Sequence, residues 1–304
     1  MNEIIESKQG KAADVSGQIG KLFLANLNNE GSRKVYEREI RLFLEFVKKH
    51  LAQVQLEDIL AFKESLKGLK PATVARKLVI VKALLTFAYE QRFTVSNPAR
   101  LLKIPRVRQA EPKILSLEEA RALLRSPDRR TLQGRRDAAV LIILISTGLR
   151  EAELCALDVG DLAKKWSHLV LTVKKGKGDK PRSMSLPDEV WKEVEEYLAM
   201  RGKVQPGDPL FLTVGVRGAA PSRITPRSLD YLVETHAKRA LISKKVTPHL
   251  LRHCACSFAL AGGASPKEVQ ELAGHSSLAV TNRYVHLVEN LESGAAKRSP
   301  LFSK

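Results

Sequence analysis

The chain has 304 residues, enough for two domains that each bury a core, and 51 Lys and Arg against 33 Asp and Glu give it a formal net charge of +18. Its three cysteines, Cys155, Cys254 and Cys256, form no C-x-x-C pair, which argues against a disulfide scaffold and a structural zinc site and leads us to expect a reducing, cytoplasmic setting. The longest strongly apolar run, Ala138 to Ile145, is far short of a membrane span, and the opening MNEIIESKQGK lacks the apolar core of a signal peptide, so no membrane partner is expected.

Residues 1–14 are polar and read as a frayed terminus. Four helical patterns follow, separated by breaks at 28–31, 50–55 and 68–71. The second is predicted to start after Ser32 as N-cap, with Tyr36, Ile40, Phe43 and Val47 on one face. The fourth starts near Pro71 and aligns Val74, Leu78, Val81, Leu85 and Ala88. Arg76, Lys77 and Lys82 on its other faces read as solvated cations unless a DNA backbone lies alongside. Asn97-Pro98 closes this helical unit, 15–104, and the two prolines in 105–113 with no apolar period mark a linker.

The second unit, 114–304, is predicted to be mostly helical with one hairpin. Ser116-Leu117-Glu118-Glu119 reads as a capping box, Arg136 to Ile145 as a buried helix that Gly148 ends, and Arg150 as the start of the next. His168 to Val173 alternates like a strand, Gly176-Lys177-Gly178-Asp179 supplies a turn, and Arg182 to Leu186 returns. The fold class expected is therefore mainly α with a small β-sheet, in two domains.

The basic excess is shared about equally by the halves on either side of Lys113, so both face a polyanion if either does. The bland alternative is a basic, soluble protein. Aromatic residues make up only 5 %, too few for a surface that stacks single-stranded bases, so duplex DNA is the better fit.

Near the C-terminal end the helix signals converge. Thr247-Pro248 is an N-cap followed by proline at the first helical position, which sets His249 and Arg252 on one face of a helix running to Gly262-Gly263. Ser265-Pro266-Lys267-Glu268 caps another helix that stops at Gly274, leaving His275 in the turn before a third, which ends near Tyr284. Taken singly, each of these residues is more often packing or solvated charge than chemistry. A metal site at His249, His253 and Cys256 lacks a fourth ligand, and Cys254 and Cys256 read as packing residues.

Together, His249-x-x-Arg252, Gly274-His275 and Tyr284, with Thr147-Gly148-Leu149-Arg150 upstream, resemble the signature of the tyrosine recombinase or phage integrase family, particularly its compact Xer-like members. The resemblance spans nearly the whole chain and implies a helical core-binding domain and an α+β catalytic domain that clamp duplex DNA. It implies a site-specific recombinase acting through a 3′-phosphotyrosyl intermediate, with chromosome or plasmid dimer resolution the first expectation and a mobile-element integrase the alternative. A type IB topoisomerase and a non-catalytic DNA-binding accessory protein are the readings farther off. In this family two arginines grip the scissile phosphate, which puts Arg150 and Arg252 in that role. His249, by the same resemblance, assists proton transfer at the nucleophile Tyr284, His275 hydrogen-bonds the phosphate, and Lys177 protonates the leaving 5′-oxygen, with Lys174, Lys175 and Lys180 as neighbours that could replace it.

The resemblance also implies four protomers on two DNA sites, identical or paired with a second recombinase, with the tail around Leu301-Phe302 docked on a neighbour. Leu272-Ala273-Gly274 departs from the family in its small residue before the glycine, and residues 279–282 are poorer in threonine than is usual. No separate arm-binding domain is recognised, so regulation from distant arm sites is not expected. The chemistry fits the residue types: paired guanidiniums match the charge that builds on nonbridging phosphate oxygens, and no cofactor is called for. A phosphotyrosyl ester also keeps the energy of the original diester, so resealing needs no ATP.

Overall fold

Local cap and turn chemistry accounts for most of the element boundaries in the computed structural model, which describes residues 17–27, 30–105, 114–166, 168–174, 181–213, 220–275, 277, 280–282 and 284–285. Contacts divide the chain between Gln109 and Ala110 into two units. Of the expected linker, only Pro105 lies within the described residues.

In the first unit, helix α1 (17–25) is followed by α2 (Glu30–Val47), α3 (Leu56–Ser65) and α4 (Pro71–Glu90). The apolar stripes of α2 and α4 meet as expected: Ile40, Phe43, Leu78, Val81, Leu85 and Ala88 are buried, with Ile19 and Phe23 of α1 and Ile59 and Phe62 of α3 completing the core. Phe43 and Phe62 meet edge to face at 5.1 Å, a favoured arrangement for aromatic quadrupoles. Two expectations are corrected. Helix α2 begins at Glu30 rather than after Ser32, because Arg33 in its first turn reaches back to the carbonyls of Leu27 (2.6 Å) and Ala25 (3.3 Å), leaving little chain between the helices. Nor are the α4 cations simply solvated. Glu39 of α2 is buried and needs compensating charge, so Lys77 is buried with it as an ion pair and Arg76 joins at 3.2 Å. Lys82 donates to the carbonyls of Arg100 and Leu102.

The second unit opens with α5 (Leu117–Arg125), capped reciprocally by Ser116 and Glu119, and α6 (Leu132–Thr147), whose N-cap Thr131 accepts from Gly134 N–H. Helix α6 is the buried axis, packed by α8 (Asp188–Arg201) and α10 (Pro248–Ala261). Between α7 (Glu151–Cys155) and α8 lies an antiparallel sheet of β1 (Leu162–Lys165), β2 (His168–Val173) and β3 (Arg182–Leu186), in that order. The expected hairpin thus carries one strand more: β1, Leu-Ala-Lys-Lys, has no apolar alternation to announce it, yet its backbone pairs with β2, Leu162 opposite Leu171. Helices α9 (Pro226–Arg239) and α11 (Pro266–Ala273) follow, and residues 280–282 and 284–285 are helical as well. No helix among the described residues is long and apolar enough to cross a membrane.

Candidate active site

Helix α6 ends at Gly148, whose φ of 61° is left-handed and therefore suited to glycine. The reversal leaves the Gly148 carbonyl facing α10, where it accepts a 2.5 Å hydrogen bond from the Arg252 guanidinium. It also places Arg150 at the start of α7. A Cβ on Gly148 would stand 3.3 Å from that of Ala255, so the tight turn and the close approach of α10 require the same residue. Arg252 is 4 % exposed. Burial, and next the like charge of Arg150, pull its pKa below the ordinary guanidinium value, so the two arginines share one electrostatic neighbourhood.

Arg150 is held on two sides. One terminal nitrogen donates to Glu153 Oε1 at 2.8 Å and the other to the carbonyl of Gly274 at 2.7 Å, while its backbone N–H donates to Glu153 Oε2. Glu153 is buried and takes a forked pair of bonds from Arg182 of β3, at 2.9 and 2.7 Å. Arg182 also donates to the carbonyl of Leu272 and lies against Gly274, where a Cβ would come 3.0 Å from its guanidinium. One carboxylate thus fastens Arg150 to strand β3 and, through Arg182, to the end of α11.

Burial raises the pKa of Glu153, but the hydrogen bonds from Arg182 and from the backbone of Arg150 outweigh it and hold the carboxyl at about 2, against 4.5 ordinarily. A depressed folded-state pKa stabilises the fold above pH ~4.5 and loses that contribution as pH falls toward ~2, a difference of about 3 kcal/mol. Urea unfolding of the wild type and Glu153→Gln should therefore show a stability gap that narrows between pH ~5 and ~2. A gap that stays constant would contradict this assignment of the charge.

Helix α10 begins with Thr247 as N-cap, its hydroxyl accepting from Leu250 N–H at 3.1 Å, and Pro248 at the first position. His249 is exposed, and one turn on its ring meets that of His253, centroids 4.4 Å apart. Helix α11 is capped by Ser265 and Glu268 and ends at Gly274, φ 63°. His275 follows, its Nδ1 2.9 Å from Thr281 Oγ1 and its ring parallel to that of Tyr284 at 6.0 Å. Tyr284 is only 2 % exposed, packs with Cys256, Val269 and Ala273, and shares a 2.5 Å hydrogen bond from its Oη to His253 Nδ1.

The structure thus gathers Arg150, His249, Arg252, His275 and Tyr284, the five described residues singled out from the sequence. Lys177 lies outside the described residues, as do Lys175, Lys180 and the tail beyond Val285. Lys174 is described and engaged with Asp158 and Asp161, at 2.9 and 2.8 Å. The sequence reading gave no site role to Glu153 or Arg182, and weighed His253 only as a metal ligand, not as a partner of Tyr284. His253 had a signal: it lies four residues after His249, on the same helix face. Cys254 and Cys256 are buried, and burial pushes both thiols up to about 11, as packing residues would be. No cluster of His, Cys, Asp or Glu suited to a metal ion occurs among the described residues.

The sequence pattern of the phage integrase family matches residues 113–290. The chain is 37 % identical to tyrosine recombinase XerC of Myxococcus xanthus over 71 % of its own length and 72 % of that protein's. It is 33 % identical to tyrosine recombinase XerD of Caulobacter vibrioides over 84 % of each. Among solved structures, XerH recombinase bound to palindromic difH superposes with a TM-score of 0.73 at 23 % identity, covering 88 % of this chain and 79 % of that one. A lambda integrase dimer on a core site gives 0.70 at 14 % identity, over 89 % and 96 %. At such identities these two likenesses speak for the fold. The family match and the curated relatives go further: the chain belongs to the phage integrase family of tyrosine recombinases, enzymes that cleave and rejoin DNA through a tyrosine intermediate.

Proposed function

We propose that this chain is an Xer-like site-specific recombinase in which Tyr284 attacks the scissile phosphate of a duplex DNA site and Arg150 and Arg252 hold that phosphate. The observation that carries the reading is the pairing of two guanidiniums around the Gly148 and Gly274 turns, beside a tyrosine hydroxyl. Burial first, and then the like charge of Arg150, lowers the pKa of Arg252, and an anion between the two guanidiniums relieves both costs. The phosphate's nonbridging oxygens gain charge as the Tyr284 oxygen bonds to phosphorus, so the pair binds the transition state more tightly than the ground state.

The bond from phosphorus to the 5′-oxygen breaks, and that oxygen takes a proton, which we propose comes from Lys177, a residue between β2 and β3 in the sequence. His249 and His275 flank the phosphate, the first assisting proton transfer and the second donating a hydrogen bond. The reverse attack by a 5′-hydroxyl restores the diester, with exchange of partners when two sites are paired. We propose four protomers on two duplexes, identical or mixed with a second recombinase, acting in the cytoplasm, with residues 15–104 as the core-binding domain and 114–304 as the catalytic one. The curated relatives are named XerC and XerD, which supports the Xer-like reading, and with it we propose dimer resolution rather than a mobile-element role. Mapping covalent protein–DNA complexes across the genome tests this reading. Cleavage at one fixed chromosomal or plasmid site is expected, whereas cleavage at the ends of a mobile element would overturn the Xer-like assignment.

A further inference from the structure

The nucleophile must lose a proton before or while it attacks, and an ordinary phenol, with a pKa near ~10, does so poorly at neutral pH. The resemblance to the family gives that task to His249, yet the tyrosine oxygen here is in hydrogen-bond contact with another residue. His253 Nδ1 lies 2.5 Å from Tyr284 Oη, with ring centroids 5.4 Å apart. Both partners are fixed by packing. His253 is half-buried on α10, flanked in the chain by the buried Arg252 and Cys254, and Tyr284 is buried against Cys256 of that helix and Val269 and Ala273 of α11. His249 stands one turn before His253, its ring edge against the second ring, on the exposed side.

We propose that His253 is a further catalytic residue, accepting the Tyr284 proton at Nδ1 as the tyrosine oxygen bonds to phosphorus; the inference rests on Tyr284 being the nucleophile. The proton balance is simple. In cleavage the O–H bond of Tyr284 breaks, its proton moves to His253, the P–O(Tyr) bond forms and the P–O5′ bond breaks, the leaving oxygen being protonated by a separate acid. In resealing the 5′-hydroxyl attacks and returns its proton to the group that protonated it, while the tyrosine oxygen departs from phosphorus and takes the proton back from His253. His249, at 4.4 Å from His253 and open to solvent, then acts through its neighbour. Among the described residues, the charged and titratable groups that face this pair include His249, Arg252 and Cys256 from α10 and His275 from the turn after α11.

Two variants separate proton acceptance from mere positioning. Asparagine at 253 offers an acceptor oxygen near the place of Nδ1 but is no base at neutral pH, and alanine removes the group while suiting a helix. Each is compared with the wild type on a nicked suicide substrate in single turnover, with DNA binding and thermal unfolding as controls for folding. His253→Asn and His253→Ala should bind DNA normally and cleave on the order of 10²-fold or more slowly near neutral pH. Their deficit should shrink with rising pH, as the free phenolate fraction grows about tenfold per unit. Added imidazole should restore part of the rate to His253→Ala. Wild-type rates in His253→Asn, or a deficit that is the same at every pH, would overturn the proposal. Tyr284→Phe run alongside keeps the two readings apart. If it still forms adducts, the nucleophile has been misassigned; if it forms none while both His253 variants cleave at full rate, the base alone has been.

Discussion

Tyr284→Phe should bind its DNA site as the wild type does and form no covalent adduct on a nicked suicide substrate. The change keeps the ring, which fills a space between α10 and α11 against Cys256, Val269 and Ala273, and removes only the oxygen that would bond to phosphorus. It also removes the partner of His253 Nδ1, at a cost of about 1 kcal/mol, too little to unfold a domain of this size. Loss of cleavage without loss of binding or folding is therefore the expected result, read by gel shift, thermal unfolding and adduct formation. Adducts that persist in Tyr284→Phe and vanish when Tyr197 or Tyr231 is changed would contradict it. The structure gives little room for that outcome at Tyr197, which is buried and stacked on Phe211.

Arg150→Lys and Arg252→Lys should each reduce cleavage by on the order of 10² to 10³-fold although charge is kept. An ammonium is a point donor on a flexible stem, whereas each guanidinium here is aimed by its surroundings. Arg150 spends one terminal nitrogen on Glu153 and the other on the Gly274 carbonyl, and lysine cannot span both. Arg252 is anchored to the Gly148 carbonyl and is buried, so a shorter hydrogen-bonding reach leaves either that carbonyl or the phosphate without a donor. If the arginine pair supplies the positive charge at the phosphate, cleavage by the wild type should also persist in EDTA. Unchanged rates in both lysine variants, or a strict requirement for Mg²⁺, would contradict this role for the pair.

Where structure depends on chemistry within a few residues, the sequence was readable. The N-caps at Ser116, Thr247 and Ser265 and the left-handed stops at Gly148 and Gly274 set element ends that need no tertiary information. These same stops frame the candidate site, while Arg150, His249, Arg252, His275 and Tyr284 were singled out together by their resemblance to the tyrosine recombinase signature. What escaped depends on partners far apart in the chain. Strand β1 is called into the sheet by pairing with β2, and Lys77 is buried because Glu39, 38 residues earlier, needs a counter-charge. Glu153 looks like any helical carboxylate until Arg182, 29 residues on, is seen to fork onto it. The periodicity placed His253 beside His249, but its contact with a tyrosine 31 residues later is a product of how α10 and α11 pack.

The most direct test of the account is to trap the wild-type protein on a nicked duplex site, digest the adduct and identify by mass spectrometry the peptide that carries the nucleotide. The account predicts a single modified peptide, with a DNA 3′-phosphate esterified to Tyr284. A DNA phosphate on any other residue, or on the 5′ side of the break, would contradict it.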